Sequence, residues 1–136
     1  MKVLVIEREM FLAELVKLAL EADGHACFTA ASVEEASEIL RFARIDLVTL
    51  DPDANGGNPL VWLDDAVLAH PEFHGRVFVL TDRLLEHDEA LRVRGCGARV
   101  IQKPFTLHQM RETIRMMMPV GGTASDPRPR RPVIAT

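Results

Sequence analysis

The alternation of short aliphatic runs with amphipathic stretches is the feature that most constrains the fold of this chain. Runs that are apolar at consecutive positions suit strands buried on both faces of a parallel sheet. Strong runs occupy residues 3–6, 47–50 and 77–80, and weaker ones occupy 27–30 and 100–101. Because a strand, a helix and a parallel strand form a right-handed crossover, five such pairs predict a doubly wound, three-layer α/β fold with a five-stranded parallel sheet.

Helix start and stop signals lie between these runs. Ser32 with Glu35 three residues later is a capping box, and Thr106 with Gln109 is another. Gly24 follows the first amphipathic stretch and can take the left-handed conformation that ends a helix. The predicted helices cover about residues 11–22, 32–43, 60–69, 86–94 and 106–117.

Length and composition favour one globular domain. The chain has 136 residues, and none of its apolar runs approaches the roughly 18 residues that a membrane span needs. The apolar start MKVLVI is too short for a signal peptide and is followed at once by charge. We therefore expect a cytoplasmic protein without a membrane contact.

Charge divides the chain into an acidic body and a basic end. Residues 119–136 carry a net charge of +2, so the total of −4 leaves −6 for residues 1–118. An acidic body argues against a direct nucleic-acid surface. The Pro- and Arg-rich end lacks periodicity and is predicted to be a disordered tail, whose RPRRP segment either binds an acidic partner or stays solvated.

Polar residues follow the predicted strands, at the edge where doubly wound proteins carry their functional sites. Glu7 and Arg8 follow the first strand, and Asp51 follows the third. Thr81 and Lys103 follow the fourth and fifth strands. An aspartate can attack a phosphoryl group if positive charge and hydrogen-bond donors stabilise the oxygens that gather charge. Lysine and threonine at the same edge would supply those groups.

Three motifs carry a resemblance to a known family. They are DLVTLD ending in Asp51, VFVLTD with Thr81 and IQKPF with Lys103, and they resemble those of CheY-like receiver domains of two-component response regulators. The resemblance covers nearly all of a predicted domain, residues 1–118. It implies a flavodoxin-like sheet with strand order 2-1-3-4-5 and Asp51 as the phosphoacceptor. It also implies a sensor histidine kinase or phosphotransfer protein as partner, a downstream protein target, and a homodimer as an option.

Arg8 departs from the resemblance at its centre. Glu7 and Arg8 stand where such receivers have two acidic residues that hold magnesium together with the phosphoacceptor. A guanidinium has no lone pair for a metal, so the implied ligands reduce to Glu7 and Asp51, and the expectation of magnesium is weakened. Three interpretations of Arg8 stay open: it replaces the charge of the metal, it locks Asp51 in an ion pair that imitates an activated state, or it points to solvent.

Further departures surround the site. Pro52, after the phosphoacceptor, has no amide hydrogen to donate to a phosphoryl oxygen. Asp53 and Arg83 could pair across the mouth of the site. Val100 stands where the resemblance implies an aromatic switch residue, which weakens the usual coupling. The resemblance also implies a cis peptide bond before Pro104.

Together these residues predict an atypical single-domain receiver that acts through protein–protein interactions in phosphorelay signalling and is not an enzyme. Its phosphoacceptor would be Asp51, with altered or absent dependence on magnesium. The alternative is a small α/β enzyme that uses Asp51 and Lys103 on a soluble substrate. That alternative predicts a deep pocket over the strand ends, whereas a receiver predicts a shallow acidic dish.

Overall fold

A computed structural model describes residues 1–117, in which strands and helices alternate along the chain. The strands are β1 (Lys2–Ile6), β2 (Ala26–Ala30), β3 (Leu47–Leu50), β4 (Val77–Thr81) and β5 (Arg99–Gln102). The helices are α1 (Met10–Ala22), α2 (Val33–Phe42), α3 (Pro59–Ala69), α4 (His87–Gly95) and α5 (Leu107–Met117), and a short 3-10 turn covers Pro71–Phe73.

The strands form one parallel sheet with the order β2-β1-β3-β4-β5, as predicted. Near the centre of the sheet, β1 and β3 are neighbours, and Ile6 lies opposite Leu50. Farther along, Thr81 of β4 lies opposite Gln102 of β5. The carboxyl ends of the strands therefore meet at one edge, and the residues that follow them share that edge.

Side chains of the central strands point alternately to two hydrophobic cores, one on each face of the sheet. In β1, Leu4 and Ile6 belong to the core under α2, α3 and α4, whereas Val3 and Val5 belong to the core under α1 and α5. The strands β3 and β4 are buried along their whole length. The edge strand β5 is mostly exposed, so its apolar run is short and predicts only the middle of the strand.

The helix ends follow the predicted signals with one difference. Gly24 has a φ of +94°, the left-handed conformation expected after α1. The capping box at the start of α5 forms both of its bonds. At α2 the Ser32 hydroxyl accepts from the Glu35 amide, but the Glu35 carboxylate accepts from the amide of Ala31. The second bond of this box therefore caps the chain one residue earlier than predicted.

Other predictions concern features outside these elements. The peptide bond between Lys103 and Pro104 is cis, as the resemblance implied. Within residues 1–117, no helix is long and apolar enough to cross a membrane. The predicted tail and the last residue of the predicted domain, Met118, lie outside the described residues.

Candidate functional site

Two acidic side chains are buried together at the carboxyl edge of the sheet. Glu7 follows β1 and Asp51 follows β3, and each side chain is only 1% exposed. The backbone amide of Asp51 donates to the carbonyl of Ile6 at 2.8 Å, so the pairing of the two strands continues up to the site. Burying two neighbouring carboxylates is costly unless cations and hydrogen bonds compensate them.

Arg8 supplies the cation for Asp51. Its Nη1 donates to Oδ1 and Oδ2 of Asp51 at 3.1 and 3.2 Å, and its backbone amide donates to Oδ2 at 3.3 Å. The amide of Asp53 donates to Oδ1 at 2.9 Å. Both carboxylate oxygens therefore face protein donors. The interpretation that Arg8 points to solvent is wrong, since its guanidinium lies on Asp51.

The same guanidinium reaches two further acids at the mouth of the site. Nη1 of Arg8 lies 3.6 Å from Oδ2 of Asp53, and Nη2 lies 3.5 Å from Oδ2 of Asp82. Asp53 and Asp82 are partly or largely exposed, in contrast to the buried Asp51. One arginine thus balances three carboxylates that come from the ends of two strands.

Lys103 supplies the cation for Glu7. Its Nζ lies 3.2 Å from Oε2 of Glu7, and the amide of Glu9 donates to the same oxygen at 3.3 Å. Burial, and next the charge of Asp51, raise the pKa of Glu7 to about 7, although Lys103 acts in the opposite direction. Lys103 was predicted to stabilise the oxygens that gather charge during phosphoryl transfer, and in this structure its ammonium group pairs with the neighbouring acid, Glu7.

The hydroxyl of Thr81 is engaged within its own loop. It donates to the carbonyl of Arg83 at 3.0 Å and accepts from the amide of Arg83 at 3.2 Å. Local bonds of this kind fix a turn in the backbone. Thr81 lies at the predicted edge and is buried, but its bonds hold the loop between β4 and α4.

The predicted pair between Asp53 and Arg83 forms, and it has a third member. Nε of Arg83 lies 3.0 Å from Oδ2 of Asp53, and Nη1 lies 2.8 Å from Oε1 of Glu89. The hydrogen bond from Arg83 is the main reason why the pKa of Glu89 falls to about 2. Sequence reasoning missed Glu89. The signal was its place three residues after Glu86 at the start of α4, where the two form a capping box.

The donor set does not fit magnesium. A hard cation needs several free oxygen ligands, but both oxygens of Asp51 face Arg8 and backbone amides. Oε2 of Glu7 is taken by Lys103, so of the four oxygens of these two carboxylates only Oε1 of Glu7, which is buried without a hydrogen-bond partner, is left for a cation. In the part of the chain that the structure describes, no group of three or more His, Cys, Asp and Glu side chains is arranged to hold a metal ion. The guanidinium of Arg8 contacts the Asp51 carboxylate that a metal would need as a ligand.

A cleft of about 570 Å³ lies beside this acidic cluster. Phe11 and Leu12 of α1, with Pro104 and Phe105 after β5, give it an apolar lining. Its other lining residues are Glu9, Asp82 and Lys103. Asp51 does not line the cleft, so this is not the pocket over both proposed catalytic residues that the enzyme alternative requires.

Among curated proteins, this chain is similar to transcriptional regulators, and the similarity covers only part of their length. The chain is 30% identical over 121 residues to the transcriptional regulatory protein PmrA of Pectobacterium parmentieri, a match that covers 87% of this chain and 52% of that protein. The chain thus spans about half the length of the curated relatives it matches. No protein-family model matches the sequence.

Solved structures match the fold over most of the chain. A CheY-like response regulator receiver domain protein from Methanospirillum hungatei JF-1 has a TM-score of 0.76 at 18% identity, covering 85% of this chain and 90% of that one. A response regulator from Thermotoga maritima has a TM-score of 0.73 at 29% identity, covering 85% and 95%. The sheet order, the residues at the strand ends and these likenesses together show that residues 1–117 form a CheY-like receiver domain, the kind of domain found in two-component response regulators.

Proposed function

We propose that this receiver works in phosphorelay signalling through contacts with other proteins, and that Asp51 is its phosphoacceptor. The observation that carries the proposal is the setting of Asp51. It follows β3 of a receiver fold, it is 1% exposed, and its carboxylate already holds one guanidinium and two backbone amides. The atypical character lies in that guanidinium, and the single-domain organisation stays a prediction.

Phosphoryl transfer to Asp51 would form a bond from a carboxylate oxygen to phosphorus, while the bond from phosphorus to the donor breaks and its electron pair leaves with the donor. Nη1 of Arg8 now covers both oxygens, so the guanidinium must tilt to expose one of them. The side chain of Arg8 is 29% exposed and has room to do so. After the tilt, its charge faces the incoming phosphoryl oxygens and stabilises the charge that develops on them.

We further propose that magnesium contributes little to this transfer. Arg8 is held by Asp51, Asp53 and Asp82, and a metal ion would have to displace it from all three. Since like charges repel, a divalent cation next to this guanidinium loses much of the attraction that the carboxylates offer. Altered or absent dependence on magnesium therefore follows from the position of one side chain.

Labelling from acetyl phosphate, with and without magnesium, tests the proposal by intact mass. The wild type should form one phosphoryl adduct slowly, at a rate that magnesium hardly changes, and Asp51→Asn should form none. Arg8→Asp should make labelling depend on magnesium, because it removes the cation and adds a carboxylate ligand. Arg44→Asp is the matched control, since Arg44 is exposed in the loop before β3, at the opposite edge of the sheet. Rapid, magnesium-dependent labelling of the wild type would overturn the proposal.

The partners we propose are a sensor histidine kinase or phosphotransfer protein and a downstream protein target. Met10 and Phe11 are 75% and 78% exposed at the start of α1, and Phe11 lines the cleft beside the site. Large apolar side chains exposed among polar ones are typical of interaction sites. A homodimer is a further option. Direct nucleic-acid and membrane contacts are not proposed, and the proposed partners imply a cytoplasmic location.

Phosphoryl transfer from a panel of phosphorylated sensor kinases tests this surface. Phe11→Ala should slow transfer from the cognate kinase by about tenfold, because removing an anchor aromatic costs roughly 1–2 kcal/mol of binding. Phe42→Ala is the matched control, since Phe42 is 73% exposed at the far end of α2. Labelling from acetyl phosphate should be equal in both variants. Equal transfer rates from the kinase would argue against docking at the cleft.

The enzyme alternative finds no support at the site. The carboxylate of Asp51 pairs with Arg8, and the ammonium group of Lys103 pairs with Glu7. Neither group is therefore free to act on a substrate. Receiver domains are signalling modules, and we propose that this one has no enzymatic activity on a soluble substrate.

We propose that the Pro- and Arg-rich tail, residues 119–136, stays solvated and has no binding partner. Its alternative role is to bind an acidic partner. Deleting the tail and measuring recovery of the cognate kinase in a pull-down distinguishes the two: unchanged recovery supports the solvated end, and a loss supports binding.

A further inference from the structure

Arg83 joins two loops at the edge of the sheet. It follows β4, and its Nε and Nη2 each lie 3.0 Å from an oxygen of Asp53 in the loop after β3. Its Nη1 and Nη2 lie 2.8 and 2.9 Å from the two oxygens of Glu89 in the first turn of α4. Bidentate contacts of arginine with carboxylates are strong and directional. One side chain thus fastens α4 to the loop that contains Asp53.

Asp53 is shared between two arginines. Nη1 of Arg8 lies 3.6 Å from Oδ2 of Asp53, and the same nitrogen lies 3.1 Å from Oδ1 of Asp51. Charges of alternating sign therefore run without interruption from the phosphoacceptor to α4. We call this series the charge chain, and its members are Asp51, Arg8, Asp53, Arg83 and Glu89.

Thr81, a buried residue of the site, is also connected to Arg83. Both bonds of the Thr81 hydroxyl go to the backbone of Arg83. Val100, on β5, is 45% exposed and has no ring that could move between the core and the surface. A change at Asp51 therefore reaches α4 most directly through the side-chain charges.

We propose that Arg83 is a positioning residue that sets how firmly α4 is held, according to the charge on Asp51. The inference rests on the proposed function, because it names how that same site is regulated. When Asp51 loses its charge, Arg8 turns to its remaining partners, Asp53 and Asp82, and at Asp53 it competes with Arg83, so α4 is held less firmly. When Asp51 gains a phosphoryl group, the added negative charge draws Arg8 away from Asp53, and Arg83 holds α4 more firmly.

Hydrogen exchange of the α4 amides in the unphosphorylated full chain tests the inference. Asp51→Asn removes the charge and should raise the exchange rate about fivefold, which corresponds to roughly 1 kcal/mol of local stability. Arg83→Gln should raise the rate by itself, and Asp51→Asn should then add nothing. Arg8→Gln should not raise the rate, because Arg83 then holds Asp53 without a competitor. When Arg8 is Gln, Asp51→Asn should have no effect on the rate. If Arg83 had a purely structural role, substitutions at Arg83 and Arg8 would leave the effect of Asp51→Asn unchanged.

The matched control is Arg92→Gln. Arg92 ties α4 to Asp64 of α3 outside the charge chain, so this variant should raise exchange and leave the effect of Asp51→Asn intact. Asp53→Asn, at a partly exposed position, gives a second test if Asp51→Asn does not fold. Its effect should be absent when Arg83 is already Gln.

Two results would overturn the inference. One is an equal effect of Asp51→Asn in the wild type and in Arg83→Gln, and the other is no effect in the wild type. Neither result bears on the acetyl phosphate and kinase assays, so failure here is distinct from failure of the proposed function.

Discussion

Two glutamates at the same edge of the sheet form ion pairs of similar length, and yet their pKa values shift in opposite directions. Oε2 of Glu7 lies 3.2 Å from Nζ of Lys103, and Oε1 of Glu89 lies 2.8 Å from Nη1 of Arg83. The pKa of Glu7 is raised to about 7, whereas the pKa of Glu89 is lowered to about 2. The length of the pair therefore does not decide which form of the carboxyl group is stable.

Burial and the number of hydrogen bonds account for the difference. The side chain of Glu7 is 1% exposed, lies next to Asp51, and has one oxygen without a partner. Desolvation there exceeds the gain from the lysine. Glu89 is 21% exposed and accepts from two nitrogens of Arg83 and from the amide of Glu86. At this edge of the sheet, an ion pair stabilises the charged carboxylate only where both of its oxygens accept hydrogen bonds and the group stays partly solvated.

Removing the cation of the buried pair should have the largest effect. Lys103→Met keeps the apolar stem but leaves the Glu7 carboxylate buried without its partner, so the free energy of unfolding should fall by about 3 kcal/mol near pH 8. Urea denaturation measures the loss. The double variant with Glu7→Gln should recover at least half of it, because no unpaired charge remains. Strict additivity of the two substitutions would show that the buried charge is not the cause.

Glu7→Gln should change how stability depends on pH. Because the folded-state pKa of Glu7 is raised from 4.5 to about 7, its protonated form is favoured by folding. The resulting stability is fully present below the unfolded pKa and is lost as the pH rises through the folded pKa. From about pH 5 to about pH 8, the wild type should lose about 2 kcal/mol relative to Glu7→Gln. Urea denaturation at both pH values checks this, and a constant difference would contradict it.

Glu89→Gln should show the opposite pH dependence and a smaller effect. A carboxyl group with a lowered folded-state pKa contributes stability that is present above the unfolded pKa and is lost as the pH falls through the folded pKa. The variant should be about 1 kcal/mol less stable than the wild type at neutral pH. The gap should close as the pH falls from 4.5 towards 2. Thermal unfolding across this range measures it, and a gap that persists in acid would break the contrast between the two glutamates.

The fold could be predicted from the sequence because its central strands are buried on both faces. Consecutive apolar residues mark β1, β3 and β4, and each was predicted to within one residue at either end. The edge strand β5 was predicted two residues too short, since exposed positions such as Arg99 and Gln102 carry no apolar signal. Burial makes a strand visible in the sequence, and exposure hides its ends.

That the strand-end residues share one edge could also be predicted, and so could the pair between Asp53 and Arg83, but the partners of Lys103 and Glu89 could not. Glu7, Asp51 and Lys103 follow strands, and parallel strands bring such residues to one edge. Which cation pairs with which carboxylate depends on side-chain conformations, because the alternative partners lie only a few ångströms apart. The spacing of residues in the sequence does not determine these conformations. Lys103 therefore turned out to pair with Glu7, and Arg83 also pairs with Glu89, which comes from a helix.

An exposed ion pair on α2 shows what the same distance is worth without burial. Arg41 and Glu38 on α2 lie 3.2 Å apart, the same distance as Lys103 and Glu7, but their side chains are 75% and 69% exposed. Water solvates both charges in the folded and the unfolded chain, so Arg41→Gln should change the free energy of unfolding by about 0.3 kcal/mol or less. Urea denaturation at low and high salt measures this, and the small effect should shrink further as salt screens the pair. A loss as large as that of Lys103→Met would mean that distance, and not burial, sets the strength of ion pairs in this protein.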